Sequence, residues 1–219
     1  KSKTRRHLTE IWMMDAEVAF VEHEENMRVQ EELIIAIVRR VLDECANELR
    51  ILERDVAPLN LIQAPFVRMT HAEAVAKLRE MGSDIGEKDD LGADDETMLT
   101  QAFDQPIFIE KYPAEVKAFY MKRDPRDPSR ALNNDLLAPE GYGEIIGGSQ
   151  REDDYETLKR RIQEHNLPME AFEWYLDLRR YGSVPNSGFG YGLERIVAWL
   201  TGTHHIRETI PFPRMINRF

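Results

Sequence analysis

The sequence predicts an α+β domain in which an antiparallel sheet is flanked by helices. Two observations carry this expectation. Strand-like runs between residues 107 and 149 are separated by proline- and glycine-rich turns rather than by helices. Helical stretches group before and after those runs, so the regular strand–helix alternation of a doubly wound parallel sheet is missing. With 219 residues, 42% of them apolar, the chain can bury one sizeable core but not several full domains.

Taken in order, Glu10–Phe20 reads as a strand, with Ile11, Met13 and Val18 alternating only roughly with polar neighbours. Apolar residues at 27, 34, 37, 38, 41, 42, 45, 49 and 52 keep helical spacing and predict one long amphipathic helix from about Glu24 to Leu52. Its Cys45 reads as a buried core thiol, and a single cysteine excludes an internal disulfide or a cysteine-rich metal site. Thr70-His-Ala-Glu73 is a capping box that opens a second helix ending near Gly82. The acidic run Asp84 to Glu96 reads as a flexible, solvated loop without chemistry.

Ile107–Ile109, Lys117–Met121, Leu132–Ala138 and Glu144–Ser149 are the predicted strands. Two helices follow, Asp154–Glu164 and Pro168–Leu178, the second with proline at its first position. Next, Gly188, Gly190 and Gly192 fall on alternate positions of a short strand and leave one of its faces without side chains. That strand runs into a helix, Leu193–Leu200, with Arg195 on its first turn, where the helix end already favours negative charge. A bare strand face beside an arginine suits a nucleotide, with base or ribose on the glycines and phosphate on the guanidinium. The glycines alone would equally permit close strand packing. Trp12 and Tyr191 read as core or pocket-wall aromatics.

No run approaches the ~20 apolar residues of a membrane span, and the basic N-terminus has no apolar signal core, so a soluble, cytoplasmic protein is expected. The net charge of −11 hides a clustered basic start, Lys1, Lys3, Arg5, Arg6 and His7, so a nucleic-acid partner is not excluded.

Three blocks, in order, resemble the class II aminoacyl-tRNA synthetases, and within them the aspartyl/asparaginyl subgroup, bacterial asparaginyl enzymes in particular. Lys3-Thr-Arg-Arg-His-Leu-Thr-Glu-Ile-Trp-Met resembles the loop and second strand of motif 2. Leu136 to Glu152, with Gly-Glu-Ile-Ile-Gly-Gly-Ser-Gln-Arg-Glu, resembles the strand that binds amino acid and metal. Arg179 to Arg214, around Gly188-Phe-Gly-Tyr-Gly-Leu-Glu-Arg, resembles motif 3.

The resemblance implies the class II catalytic fold, with ATP and Mg²⁺ as cofactors and asparagine and tRNA(Asn) as partners. It implies a reaction in which asparaginyl-adenylate forms and its acyl group passes to tRNA. No protein nucleophile is needed, so arginines and metal-binding acids should dominate the site. On the family's pattern, Arg195 holds the γ-phosphate. Glu144 and Asp135 ligate Mg²⁺, and oxygen donors suit that ion. Arg6, His7, Gly190 and Gly192 bind ATP. Gly188, Arg151 and Asp15 face the amino acid, Arg151 gripping the side-chain carbonyl and Asp15 accepting from the amide.

Three positions depart from the family. Asp15 stands where bacterial asparaginyl enzymes usually have glutamate, Ile11 where a phenylalanine stacks on adenine, and Asn186 where a histidine is usual. The resemblance further implies that the chain is the C-terminal part of one catalytic domain, with a helical and loop insertion at about 60–105. The start of motif 2, motif 1 and an anticodon-binding domain would lie outside it, and the full-length family is homodimeric. Such a fragment is expected to be inactive alone. Two other readings stay open: an asparagine synthetase-type paralog working through aspartyl-adenylate and ammonia, and a catalytically decayed paralog acting as a binding or regulatory module.

Overall fold

The computed structural model describes residues 5–215, so Lys1 and Lys3 of the basic start lie outside the described residues. The chain opens with β1 (Met13–Ala19), α1 (His23–Glu44), α2 (Ala46–Ile51), α3 (Ala57–Asn60) and β2 (Val67–Thr70). It continues with α4 (His71–Glu80), α5 (Ala93–Thr100), β3 (Ile107–Glu110) and a short β4–β5 ribbon (Arg123–Asp124, Asp127–Ala131). β6 (Asn133–Ala138), β7 (Gly143–Gln150), α6 (Tyr155–Glu164), α7 (Glu173–Arg180), β8 (Asn186–Gly192) and α8 (Leu193–Thr201) complete it.

Six strands form one sheet in the order β1-β8-β7-β6-β3-β2, antiparallel throughout except for the parallel β2–β3 pair. The predicted α+β class with its antiparallel sheet is therefore observed. One face packs on α1 and α8 through a core that includes Met27, Ile34, Val38, Phe108, Leu136, Ile146, Phe189 and Trp199. Within this layer Gln30 and Asn134 exchange two amide hydrogen bonds of 3.2 and 2.7 Å. A second core, with Leu78, Leu99, Ile107 and Tyr112, joins α4 and α5 to the β2–β3 side. Among the described residues, no helix is long and apolar enough to cross a membrane.

The α4 capping box forms as the sequence predicts: Thr70 Oγ1 accepts from the Glu73 amide at 3.3 Å, and Glu73 Oε2 accepts from the Thr70 amide at 2.7 Å. Several other expectations are corrected. The predicted Glu24–Leu52 helix is interrupted at Cys45 (φ −116°, ψ 23°), and the Cys45 thiol is half-buried rather than buried. Apolar spacing persists across such a one-residue kink and so does not register it. The acidic run is not simply a loop. Asp94, Asp95 and Glu96 form the first turn of α5, where carboxylates complement the helix dipole and Asp95 accepts from the Gly92 amide at 3.1 Å.

Lys117–Met121 is not a strand; it runs as turns beside β7, tied to it by bonds such as Lys122 N–H to Gln150 O at 2.9 Å. The predicted Pro168–Leu178 helix is a single 3₁₀ turn, Met169–Phe172, followed by α7. Two remote segments also meet. The Ile206 amide donates to the Arg5 carbonyl, and the Thr9 amide donates to the Arg214 carbonyl, both at 3.0 Å.

Candidate active site

On the sheet face away from α1, a cleft of about 520 Å³ opens over β1, β8, β7 and β6. Register explains its floor. Asp15 pairs with Gly190, Gly190 with Gly147 and Gly147 with Asp135, so one row across four strands reads acid, glycine, glycine, acid. The floor is thus built by glycines of two strands, β7 as well as β8.

The glycine face of β8 is not bare, as alternation alone suggested. Side chains of β1 lean over it: a Cβ at Gly190 would collide with the Asp15 carboxylate, and one at Gly188 with the Glu17 carboxylate. Gly188 is buried beneath Glu17 and does not line the cleft, whereas Gly190 and Gly192 do. Of the three, only Gly192 could carry a Cβ in ordinary contact, its nearest neighbour being 3.8 Å away on Arg195.

At one end of the floor stand Asp15 and Arg151. The guanidinium of Arg151 donates from Nε to Glu17 at 2.9 Å and from Nη1 to Ser149 Oγ at 2.6 Å. Asn186 donates to the other Glu17 oxygen at 3.2 Å, so three residues fix the arginine's fork. A planar donor fork between two acids suits a small polar side chain carrying both an oxygen and an N–H₂.

At the other end, Arg195 projects from the first turn of α8. It donates to Glu144 Oε2 at 2.8 Å and to the Glu144 carbonyl at 3.0 Å, and lies 3.2 Å from His7 Nε2. Partial burial, then the Arg195 and Arg6 charges, hold the His7 imidazole below its ordinary value. Its Nε2 can therefore accept from Arg195. Ile11 lines this part of the cleft, 45% exposed. Trp12, 64% exposed and absent from the cleft wall, is neither the core nor the pocket aromatic that was expected, while Tyr191 packs against the main core.

Arg6 lines the cleft too, but its donors are engaged elsewhere. Nη1 bonds Glu96 at 2.7 Å and the Tyr142 carbonyl at 2.9 Å, and Nη2 bonds the Ala93 carbonyl at 3.2 Å. Burial raises the Glu96 carboxyl, against the pull of Arg6. Gly143, at φ +72°, makes this lock possible: a Cβ there would overlap the Arg6 guanidinium. The acidic run thus has a role in the cleft wall that its composition did not reveal.

Asp135 and Glu144 offer the oxygens for a divalent cation. A Cβ at Gly147 would lie 3.2 Å from Glu144 Oε1 and 3.8 Å from Asp135 Oδ1, so both carboxylates converge over a residue with no side chain. Burial pushes the Asp135 carboxyl up to about 7, opposed by the Lys117 ammonium 3.1 Å away. Lys117 also bonds Asp90 at 3.0 Å and sits 3.8 Å from the centre of the Tyr112 ring. Burial works against its charge, yet the two acids together keep its amine above the ordinary value. Hard oxygen donors on strands, over a backbone cradle, fit Mg²⁺. His23, Glu24 and Glu110 also gather ligand atoms within 4.8 Å of one another, but away from the cleft.

Ten of the eleven site residues expected from the sequence, Arg6, His7, Ile11, Asp15, Asp135, Glu144, Arg151, Gly190, Gly192 and Arg195, line this one cleft, and Gly188 does not. Sequence reasoning missed Glu17, Lys117, Glu96 and Gly147. For Glu17 the alternation already available was sufficient, since it stands two positions from Asp15 on β1; Gly147 stands three positions from Glu144, and the two share a face only because the β6–β7 register shifts between them. Lys117 and Glu96 lie on segments whose structure was misread.

The family model for class II tRNA synthetases (D, K and N) matches residues 1–216. The asparagine–tRNA ligase of Pelotomaculum thermopropionicum is 58% identical over the full chain, which covers 51% of that protein; the Thermus thermophilus ligase is 55% identical with the same coverage. Asparaginyl-tRNA synthetase from Pyrococcus horikoshii, solved with asparaginyl-adenylate, superposes with a TM-score of 0.97 at 50% identity, over 100% of this chain and 50% of that one. Aspartyl tRNA synthetase from Entamoeba histolytica superposes at 0.91 with 33% identity, over 100% and 46%. The chain spans about half the length of the relatives it matches. With the predicted fold observed and the family model spanning nearly every residue, the chain belongs to the class II tRNA synthetases of the D, K and N group.

Proposed function

We propose that the protein carrying this chain activates asparagine with ATP and transfers it to tRNA(Asn). The carrying observation is the cleft's division by its glycine floor. A carboxamide-sized site at Asp15, Arg151 and Glu17 lies at one end, and a phosphate site at Arg195 and His7 lies at the other. Relatives of 55–58% identity named asparagine–tRNA ligases support the same reading.

In the first step, the α-carboxylate of asparagine attacks the α-phosphorus of ATP; a new P–O bond forms and pyrophosphate leaves with the electron pair. In the second, the terminal ribose hydroxyl of tRNA attacks the acyl carbon, the acyl–phosphate bond breaks and AMP departs, the hydroxyl proton leaving to phosphate or water. Arg151 donates to the side-chain oxygen of asparagine, and Asp15 or Glu17 accepts from its N–H₂. Arg195 holds the outer phosphates in line, so its work is charge neutralisation and positioning.

The residues fit Mg²⁺ at Asp135 and Glu144, and such an ion neutralises triphosphate charge when bound. Lys117 keeps Asp135 oriented toward that position. Arg195 and Glu144 are paired to each other, so a triphosphate must share or replace that contact. The wider reading, a cytoplasmic homodimer built on one catalytic domain with an insertion at about 60–105, rests on the family resemblance.

The test is ATP–pyrophosphate exchange by the protein that carries this chain. Exchange driven by asparagine supports the reading. Exchange driven only by aspartate overturns it in favour of an aspartyl-adenylate chemistry, and none with either amino acid favours a non-catalytic paralog.

A further inference from the structure

Gly188 lies outside the cleft, yet it belongs to a cross-strand row of its own. Glu17 of β1 pairs with Gly188 of β8, and Gly188 with Ser149 of β7, so acid, glycine and serine stand side by side two residues along the sheet from the Asp15–Gly190 pair. With no side chain at Gly188, the Glu17 carboxylate lies down over the strand, where a Cβ would meet its Oε1. From that position the acid reaches Arg151. Both guanidinium donors that it meets, Nε and Nη2, share the one oxygen Oε1.

The other oxygen belongs to Asn186. The Asn186 Nδ2 donates to Glu17 Oε2 at 3.2 Å, and its main-chain carbonyl accepts from the Arg151 amide at 2.9 Å. One residue therefore grips both members of the Glu17–Arg151 pair, the acid by its side chain and the arginine by its backbone. Asn186 itself does not line the cleft. Exposure explains why the acid needs the second grip. The Arg151 side chain is 15% exposed and is also held by Ser149 Oγ and by the Tyr120 ring, whose centre lies 5.3 Å from its guanidinium carbon. The Glu17 side chain is 54% exposed, and an ion pair that open is held weakly against water by charge alone.

The placement of Glu17 has a chemical consequence. An arginine flanked by a carboxylate has its charge offset and suits a neutral carboxamide, whereas the same arginine without its acid draws a carboxylate. Which side chain is preferred thus depends on Glu17 staying on Arg151 instead of turning to solvent. We infer that Asn186 is a specificity-determining residue: by holding Glu17 over Gly188 and against Arg151, it sets the preference for a carboxamide over a carboxylate. This rests on the proposed activation of asparagine and extends its selectivity to a residue behind the cleft wall. Asn186 acts by positioning, through Glu17.

The experiment uses the protein carrying this chain, at about pH 8, where a histidine side chain is neutral. Pyrophosphate exchange gives the ratio of kcat/KM for asparagine to that for aspartate, and calorimetric Kd values for the two amino acids give a matching ratio without turnover. Asn186→Ala should lower both ratios by about fivefold, the scale of one lost hydrogen bond, while KM for ATP moves less. Asn186→His keeps an N–H donor and should restore most of the preference. In a Glu17→Gln protein, Asn186→Ala should have little further effect on either ratio, a coupling that a merely structural role would not produce. Ratios unchanged in Asn186→Ala, or the same fall repeated in the Glu17→Gln background, overturn the inference. Absence of asparagine-driven exchange in the unsubstituted protein overturns the charging function instead, and the Kd ratios of the same variants then decide the role of Asn186.

Discussion

Asp15 and Asp135 stand at opposite ends of one cross-strand row, with only Gly190 and Gly147 between them. At the usual strand spacing they lie roughly 14 Å apart across a floor of bare backbone. Two carboxylates at that separation can serve two different ligands at once, one cationic or amide-bearing at each end. The sheet register alone fixes the distance, since no loop intervenes.

Filling that floor should separate the two ends experimentally. Gly190→Ala forces a methyl against the Asp15 carboxylate and brings it close to the Met13 methyl, 3.1 Å from the new Cβ. KM for asparagine should rise about tenfold or more, while KM for ATP changes less. Gly147→Ala intrudes on Glu144 and Asp135 instead and should raise the Mg²⁺ concentration needed for half-maximal exchange. Steady-state kinetics on both variants would expose a wrong assignment if the two effects were exchanged.

The Glu17–Arg151 contact makes a prediction about selectivity. Glu17 offsets the arginine's charge, which disfavours a substrate carrying a full carboxylate over one carrying an amide. Glu17→Gln should therefore relax discrimination against aspartate, by about tenfold for a difference of roughly 1.4 kcal/mol. The ratio of kcat/KM for asparagine to that for aspartate measures it. An unchanged ratio would assign selectivity to Asp15 alone.

Arg195 should not be replaceable by lysine. Its two nitrogens reach Glu144 and His7 from one planar group, a geometry that an ammonium cannot copy. Arg195→Lys should lower kcat/KM for ATP by about 10²–10³, as for loss of a preorganised charge-stabilising donor. The melting temperature should move little, because the residue lies at the cleft surface.

Acid stability offers a test outside the cleft. Glu110 accepts from His23 at 2.7 Å, and although burial opposes ionisation, that bond and nearby charges hold its carboxyl below its ordinary value of 4.5. Its stabilising contribution is complete above 4.5 and is lost as pH falls through the lower native value. Glu110→Gln should lower the unfolding free energy measured in urea at neutral pH by about 1.5–3 kcal/mol, as for a hydrogen bond to a charged group. The gap between variant and parent should close in strong acid. A gap independent of pH would contradict this account.

How much of this was legible depended on whether the signal was local. The α4 cap and the β8–α8 junction each need only a few neighbouring residues, and both formed as the sequence indicated. α5 was missed because an acid-rich first turn, stabilised by the helix dipole, has the same composition as a solvated loop. β2 and Lys117 were missed because their places depend on partners far along the chain, Ile107–Glu110 for the strand and Asp90 and Asp135 for the amine. The cleft residues were identified by resemblance, but their pairings, Glu17 with Arg151 and Arg6 with Glu96, required coordinates.

The insertion of β8 between β1 and β7 has a consequence in time. Met13 finds its partner only when Gly192 has been made, and the carbonyl of Arg5 waits longer still for Ile206. At ordinary rates of synthesis that is an interval on the order of ten seconds. Through it β1, with its acids and exposed Trp12 and Met13, has no strand from this chain's centre beside it. The cleft floor is therefore among the last parts of the sheet to close during translation, and a nascent chain stalled before β8 would lack both that floor and the Phe189 and Trp199 side chains of the main core.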